Sequence, residues 1–168
     1  MLSGEFTLVQ KPSSNSETLG INIREMQVGD LERVCELEKQ AFPDIRSQNN
    51  IEYEVLENSL SFAYVVEKDR SIIGYAIYWR VDTEAHLLDF AIDKNYRGKQ
   101  IGSSLLNYLI NDWRLKKIQE GHLETRRSNV AARNMYLKYG FEVIGVRKNY
   151  YSKEKEDAIL MSIFLRRG

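Results

Sequence analysis

A strand-like apolar run, Ala85 to Ile92, ends in Asp93-Lys94-Asn95-Tyr96-Arg97-Gly98-Lys99-Gln100-Ile101-Gly102 and passes straight into an amphipathic helix. No other part of the chain constrains the fold as strongly. A glycine-flanked turn that opens a helix gathers several unpaired backbone N–H groups and the positive end of a helix dipole in one small volume. That volume suits the pyrophosphate of a phosphorylated cofactor. The helix is read from Gly102 to about Lys117, because Leu105, Leu109 and Trp113 recur at four-residue spacing from Ile101 as a stripe packed on a sheet.

The flanking segments alternate in the same manner. Residues 1–20, rich in Ser, Asn, Gly and Lys, are read as a flexible extension, and residues 21–168 as a single domain. Ile21 and Ile23 begin a first strand, after which Asp30 is placed to cap a helix carrying Leu31, Val34, Leu37, Glu38 and Ala41 up to Phe42-Pro43. A second helix is expected around Ile51 to Asn58. Strands follow at Phe62 to Glu67 and Ile72 to Val81, joined by Lys68-Asp69-Arg70-Ser71 as a hairpin. Beyond the long helix come a strand at His122 to Thr125, a helix whose one face carries Ala132, Met135, Tyr136 and Tyr139, and a left-handed cap at Gly140. Glu142 to Tyr150 and Asp157 to Phe164 close the chain as an antiparallel pair.

At 168 residues the chain is long enough for one buried core without disulfides or a structural metal. Its 24 basic and 24 acidic side chains cancel, which argues against a general nucleic-acid-binding role. The basic pairs Lys116-Lys117 and Arg126-Arg127 can be rim charges or can meet phosphates or a charged partner. The single Cys35 cannot form an internal disulfide, and no window reaches eighteen consecutive apolar residues, so a soluble cytoplasmic protein with no membrane partner is expected. His86 and His122 show no spacing with Cys or carboxylates that points to a metal site, and both read as ordinary strand residues.

The second informative segment is Leu123-Glu124-Thr125-Arg126-Arg127-Ser128-Asn129-Val130-Ala131-Ala132-Arg133-Asn134-Met135-Tyr136, closed by Tyr139-Gly140-Phe141. With the Asp93–Gly102 turn it resembles the acetyl-CoA-binding core of the GNAT acyltransferases. Arg147-Lys148-Asn149-Tyr150-Tyr151 and Asp157-Ala158 narrow the resemblance to the RimI-type branch, which acetylates the N-terminal alanine of a small-subunit ribosomal protein. The resemblance runs from about Ile21 to the C-terminus. It implies an α/β (α+β) fold: a mixed sheet of about seven strands, splayed in the middle, with about four helices.

The same resemblance implies acetyl-CoA as cosubstrate and a polypeptide N-terminus, such as a ribosomal protein's, as acceptor. The pantetheine arm would hydrogen-bond along Phe90, Ala91 and Ile92 as an added strand. The turn and helix start, Arg97, Gly98, Lys99, Gln100, Ile101, Gly102 and Ser103, would hold the pyrophosphate. Asn129 would contact pantetheine or pyrophosphate, or else serve as a helix cap. Glu124 matches the family's general base and Tyr136 its general acid; Asp89 is an alternative base. An oxyanion donor is expected from the backbone near Phe90–Ile92, at a bulge. Tyr150 and Tyr151 would shape the acceptor cleft.

This chain departs from the pattern twice. Gln100 stands where the family has Gly, which costs little if the backbone there is right-handed and weakens cofactor binding if it is left-handed. Asp44 follows Phe42-Pro43 where the family commonly has Trp, which leaves room for a different acceptor. Transfer to a lysine side chain or a small amine, and a non-catalytic acyl-CoA-binding regulatory role, remain open alternatives. The residues neither specify nor exclude an oligomer.

Overall fold

The computed structural model describes residues 14–43, 51–151, 153 and 155–165. Asp44 and residues 1–13 of the expected extension lie outside them. The strands are β1 (Asn22–Glu25), β2 (Ser61–Lys68), β3 (Ser71–Val81), β4 (Glu84–Ile92), β5 (Glu120–Arg126), β6 (Glu142–Tyr151) and β7 (Glu156–Phe164). The helices are α1 (Ser14–Leu19), α2 (Leu31–Ala41), α3 (Ile51–Leu56), α4 (Ile101–Leu115) and α5 (Val130–Lys138). One sheet runs in the order β1-β2-β3-β4-β5-β7-β6. Every neighbouring pair is antiparallel except β4 and β5, which are parallel and joined by the α4 crossover.

Among the described residues there are five α-helices where about four were expected, and the addition is α1. The Ser14–Leu19 segment, read as part of a flexible extension, is helical: Ser16 is buried, Leu19 packs on the core, and the Leu19 carbonyl accepts from Lys68 Nζ at 2.6 Å. Gly20, at φ +62°, ends it. A Ser-rich composition conceals one apolar anchor, and one anchor is enough when a sheet is there to receive it.

Two apolar layers cover the sheet. On one face α4 buries Ile101, Leu105, Leu106, Leu109, Ile110 and Trp113, a stripe wider than the four-residue spacing alone indicates. Trp113 packs against Gly121 of β5, where an added Cβ would come within 2.5 Å of the indole. On the other face Val34 and Leu37 of α2 and Ile51 of α3 cover Val65, Tyr75, Ile77 and Ala91. Asp30 stands at the start of α2, but its carboxylate turns back to Arg24 at 2.7 and 2.9 Å and accepts the Gln27 N–H instead of capping α2.

Two irregularities in β4 position the site. Its register with β3 shifts where Ile77 faces Asp89 and Tyr78 faces Leu87, so Leu88 is the extra residue of a bulge. Because side chains alternate, one extra residue exchanges the faces. Leu87 joins the α4 layer before the bulge, Phe90 and Ile92 join it afterwards, and Ala91 joins the α2 layer. The bulge was expected near Phe90–Ile92 and lies just before that stretch. The second irregularity is the end of the β4–β5 ladder at Leu87 and Leu123, although β4 continues to Ile92 and β5 to Arg126. The two strands part there, and β5 stays paired with β7 through Arg126.

Candidate active site

The cradle is built from the end of β4 onward. Asp93 is buried, and its carboxylate accepts the Asn95 N–H at 2.9 Å and pairs with Arg33 of α2 at 2.5 Å. Burial opposes the charge on Asp93, but the Asn95 N–H and the Arg33 guanidinium outweigh it and hold the carboxyl below its usual range. Gln40, also on α2, accepts the Lys94 N–H at 2.9 Å. Arg97 turns its Nε back onto the Ile92 carbonyl at 3.0 Å. Arg33 and Gln40 are therefore the supports of the turn, and neither carries a local signal in the sequence; they become visible only when α2 is laid over the end of β4.

Gly98 (φ +73°) and Gln100 (φ +61°) are both left-handed, and Gln100 is the residue before the first turn of α4. The first intrahelical bond runs from Ser104 N–H to the Gln100 carbonyl, so the amides of Gln100, Ile101, Gly102 and Ser103 precede the helical ladder and point out of its positive end. Gly98, Lys99 and Gln100 are exposed. The cradle thus offers donors of the kind a pyrophosphate needs, with the strained alternative at Gln100 realised. A non-glycine residue in this region costs about 1–2 kcal/mol. Gln100→Gly is expected to raise stability by about 1 kcal/mol and to tighten acetyl-CoA binding several-fold, measured by thermal unfolding and by calorimetric titration. Weaker binding in that variant would show that the glutamine side chain itself contributes to the ligand site.

The parted strands hold the remaining groups. Beyond Leu87 the edge of β4 facing β5 has no partner strand among the described residues, and Phe90, Ala91 and Ile92 lie along it. Tyr136 of α5 is 5% exposed and sits in the α4 layer, its ring 6.2 Å from Phe90 and 5.6 Å from Phe141. Burial pushes its phenol well above the usual range, so it remains protonated and able to donate at neutral pH. Glu124 alternates with the inward-facing Leu123 and therefore leaves β5 on the opposite face, exposed, with its Oε1 3.1 Å from Arg147 Nη1. A phenol and a carboxylate thus flank the same gap from opposite sides of the sheet.

Other residues singled out in the sequence take mixed positions. Asn129 is the N-cap of α5, its side-chain oxygen accepting the Ala132 N–H at 3.2 Å, so that oxygen serves the helix. Asp89 is 6% exposed on the α2 side of β4, beside the buried Glu38. Burial first, and then the charge of Asp89, push the Glu38 carboxyl up to about 7. Tyr150 and Tyr151 meet edge to face at 5.2 Å, with Arg147 over the first ring and Arg126 over the second at 5.5 and 4.0 Å. Asp157 accepts the Asn149 N–H at 2.9 Å and pairs with Arg127 at 3.1 Å, which holds the irregular end of β6. The motif around Arg147 and the Asp157-Ala158 pair are therefore one structural unit beside Glu124.

His86 and His122, read as ordinary strand residues, are brought together: they are register partners across β4 and β5, with ring centroids 5.1 Å apart. Glu84 and Glu120 lie beside them. Sequence spacing hides this cluster because the pairing spans the whole α4 crossover.

Residues 30–141 match the sequence model of the acetyltransferase (GNAT) family. A curated relative from Haemophilus influenzae, named ribosomal protein bS18-alanine N-acetyltransferase, is 36% identical over 146 residues, covering 85% of this chain and 98% of the relative. Among solved structures, the ribosomal-protein-S18-alanine N-acetyltransferase of Escherichia coli superposes with a TM-score of 0.81 at 26% identity, covering 88% of this chain and 96% of that one. Ard1 from Thermoplasma volcanium superposes with a TM-score of 0.78 at 26% identity, covering 88% and 99%.

Proposed function

The chain belongs to the GNAT acetyltransferase family, and we propose that it transfers the acetyl group of acetyl-CoA directly to the N-terminal α-amine of a protein. An alanine-starting ribosomal protein is the acceptor, following the names of its relatives. The observation that carries this reading is the unpaired edge of β4 with Glu124 and Tyr136 on opposite faces of the gap. A thioester lying along Phe90, Ala91 and Ile92 would have its carbonyl beside the Leu88 bulge, where a displaced backbone N–H can meet the developing oxyanion. The cradle amides from Gly98 to Ser103 would hold the pyrophosphate, with Arg97 and Lys99 at its rim. Asn129, its oxygen occupied by the cap, has only its amide N–H groups to offer there.

A peptide α-amine has a pKa of about 7.7–8.0, so part of it is neutral at pH 7 and a weak base suffices. Glu124 takes the proton, directly or through water, and Tyr136 hands its own to the departing thiolate. Arg147 occupies the Glu124 carboxylate in the free protein, and an incoming α-ammonium would take its place. Tyr150 and Tyr151 form the adjoining wall. Cys35 takes no part; burial pushes its thiol up, away from the nucleophilic thiolate.

Glu124→Gln is expected to lower kcat/KM at pH 7 by about 10–100-fold. Part of that loss should be recovered above pH 8, where the amine is neutral without help. A glutamine variant as fast as the parent at pH 7 would move the base elsewhere, with Asp89 the next candidate. The acceptor class is tested by mass spectrometry with two peptides of one sequence, beginning with alanine and containing one lysine, one peptide free and the other blocked at its N-terminus. Modification of the free peptide alone, on its α-nitrogen, supports the proposal; modification of both on lysine overturns it.

A further inference from the structure

Glu84 lies opposite Glu120, and His86 opposite His122, on the parallel strands β4 and β5. The intervening Ala85, Leu87 and Leu123 belong to the α4 layer, and Gly121 backs onto Trp113, so all four polar side chains leave the sheet on the other face. They are partly exposed, at 24% for His122, 26% for Glu120, 39% for His86 and 48% for Glu84. Two like-charged carboxylates directly opposite one another are destabilising unless a positive charge lies between them. Here His122 turns Nε2 toward both carboxylates, and His86 turns Nε2 toward Glu84.

The donor atoms are spaced as a small metal ion needs them. His86 Nε2 is 3.1 Å and His122 Nε2 is 3.8 Å from Glu84 Oε2, and His122 Nε2 is 3.6 Å from Glu120 Oε1. The ligand atoms of Glu84, Glu120 and His122 all lie within 4.8 Å of one another. In a tetrahedral site with bonds of about 2.0–2.1 Å, neighbouring donors sit roughly 3.3–3.4 Å apart. The separations among Glu84, Glu120 and His122 lie near that edge, so these three form the core of the set, and His86, which reaches Glu84 alone, turns further to join as the fourth donor. Two imidazoles and two carboxylates suit zinc and its first-row neighbours, whereas magnesium and calcium select all-oxygen sets.

We propose that Glu84, Glu120 and His122, with His86 drawn in beside Glu84 as the fourth donor, form a binding site for one divalent transition-metal ion of the zinc type. The ion would bridge β4 and β5 at the paired end of their ladder, where the strands still run together. Glu124, the next residue on this face of β5, lies two positions beyond His122, roughly 7 Å along the strand. The site is therefore a clamp behind the gap rather than part of the acyl-transfer chemistry, and it stands independently of the acceptor assigned above.

The test uses the full chain, stripped of metal with a chelator and titrated with zinc chloride by calorimetry, with thermal unfolding and Co2+ absorption as second readouts. The expected result is one zinc per chain, a higher Tm with zinc but not with magnesium, and the visible bands of four-coordinate Co2+. His86→Ala with His122→Ala is expected to keep the metal-free Tm, since both rings are partly exposed, and to weaken zinc binding at least tenfold. Absence of stoichiometric binding would overturn the proposal, as would binding of undiminished strength in the double variant.

Discussion

Replacing Tyr136 with phenylalanine is expected to lower kcat by about 10²–10³-fold, a proton donor in the transition state being worth about 10²–10⁴-fold. The Tm should hardly move. Tyr136 is buried among Phe90, Phe141 and the α4 layer, and phenylalanine keeps those ring contacts while removing only the hydroxyl. The KM for acetyl-CoA should change little, because the cradle and the edge of β4 are untouched. Steady-state release of free thiol, followed beside calorimetric unfolding, separates the two effects. An unaltered kcat in a folded variant would reduce Tyr136 to a packing residue and place the thiolate's proton elsewhere.

Asp112→Ala is expected to cost about 3–5 kcal/mol of stability, the usual consequence of removing one partner from a buried ionic network. The Asp112 carboxylate, 5% exposed on α4, accepts the Tyr64 hydroxyl at 2.9 Å and the Tyr78 hydroxyl at 2.6 Å, and it pairs with Lys116. Alanine would leave two buried phenols and an ammonium without their shared acceptor, and one of those phenols, Tyr78, stacks on Phe62 and meets Trp113 edge to face. For a chain of this size the loss corresponds to a fall in Tm of roughly 10 °C. Urea unfolding followed by circular dichroism measures it. A loss below about 1 kcal/mol would mean that water or a repacked Lys116 replaces the carboxylate. The cradle lies at the opposite end of α4, so acetyl transfer well below the new Tm should persist.

The parts of the fold visible in the sequence are those whose signal is local. Ala85–Ile92, the Gly98 turn and the Ile101–Trp113 stripe follow one another in the chain, and the structure places the strand, the left-handed turn and the helix in that order. Gly140, at φ +93°, follows the end of α5 as the left-handed cap expected after that helix. Features that depend on chain segments meeting across the fold were hidden. Asp112 carries no local cue of its burial, which arises because β2 and β3 deliver two tyrosines to it. Arg33 and Gln40 carry no local signal either, and their role appears only when the turn after β4 is placed beneath them. The Leu88 bulge has no composition cue, yet it decides that Phe90 rather than Ala91 faces Tyr136. His86 and His122 belong to strands separated by the whole of α4, so only the parallel register reveals that they share a site.

Within the candidate site, residue identity and residue setting separate in the same way. Glu124 and Tyr136 are legible from the motif that carries them, but their placement on opposite faces of one gap comes from the alternation of β5 and the docking of α5. Gln100 posed a conformational question that residue type alone leaves open, and its left-handed backbone answers it.

The most direct measurement of the central claim is mass spectrometry of ribosomal protein bS18, prepared with a free N-terminal alanine and incubated with this protein and acetyl-CoA. Fragmentation should place one acetyl group on the α-nitrogen of that alanine, with no gain of mass when the terminus is blocked beforehand. Acetylation confined to lysine side chains, or none at all while a small amine is acetylated in the same preparation, would contradict the account.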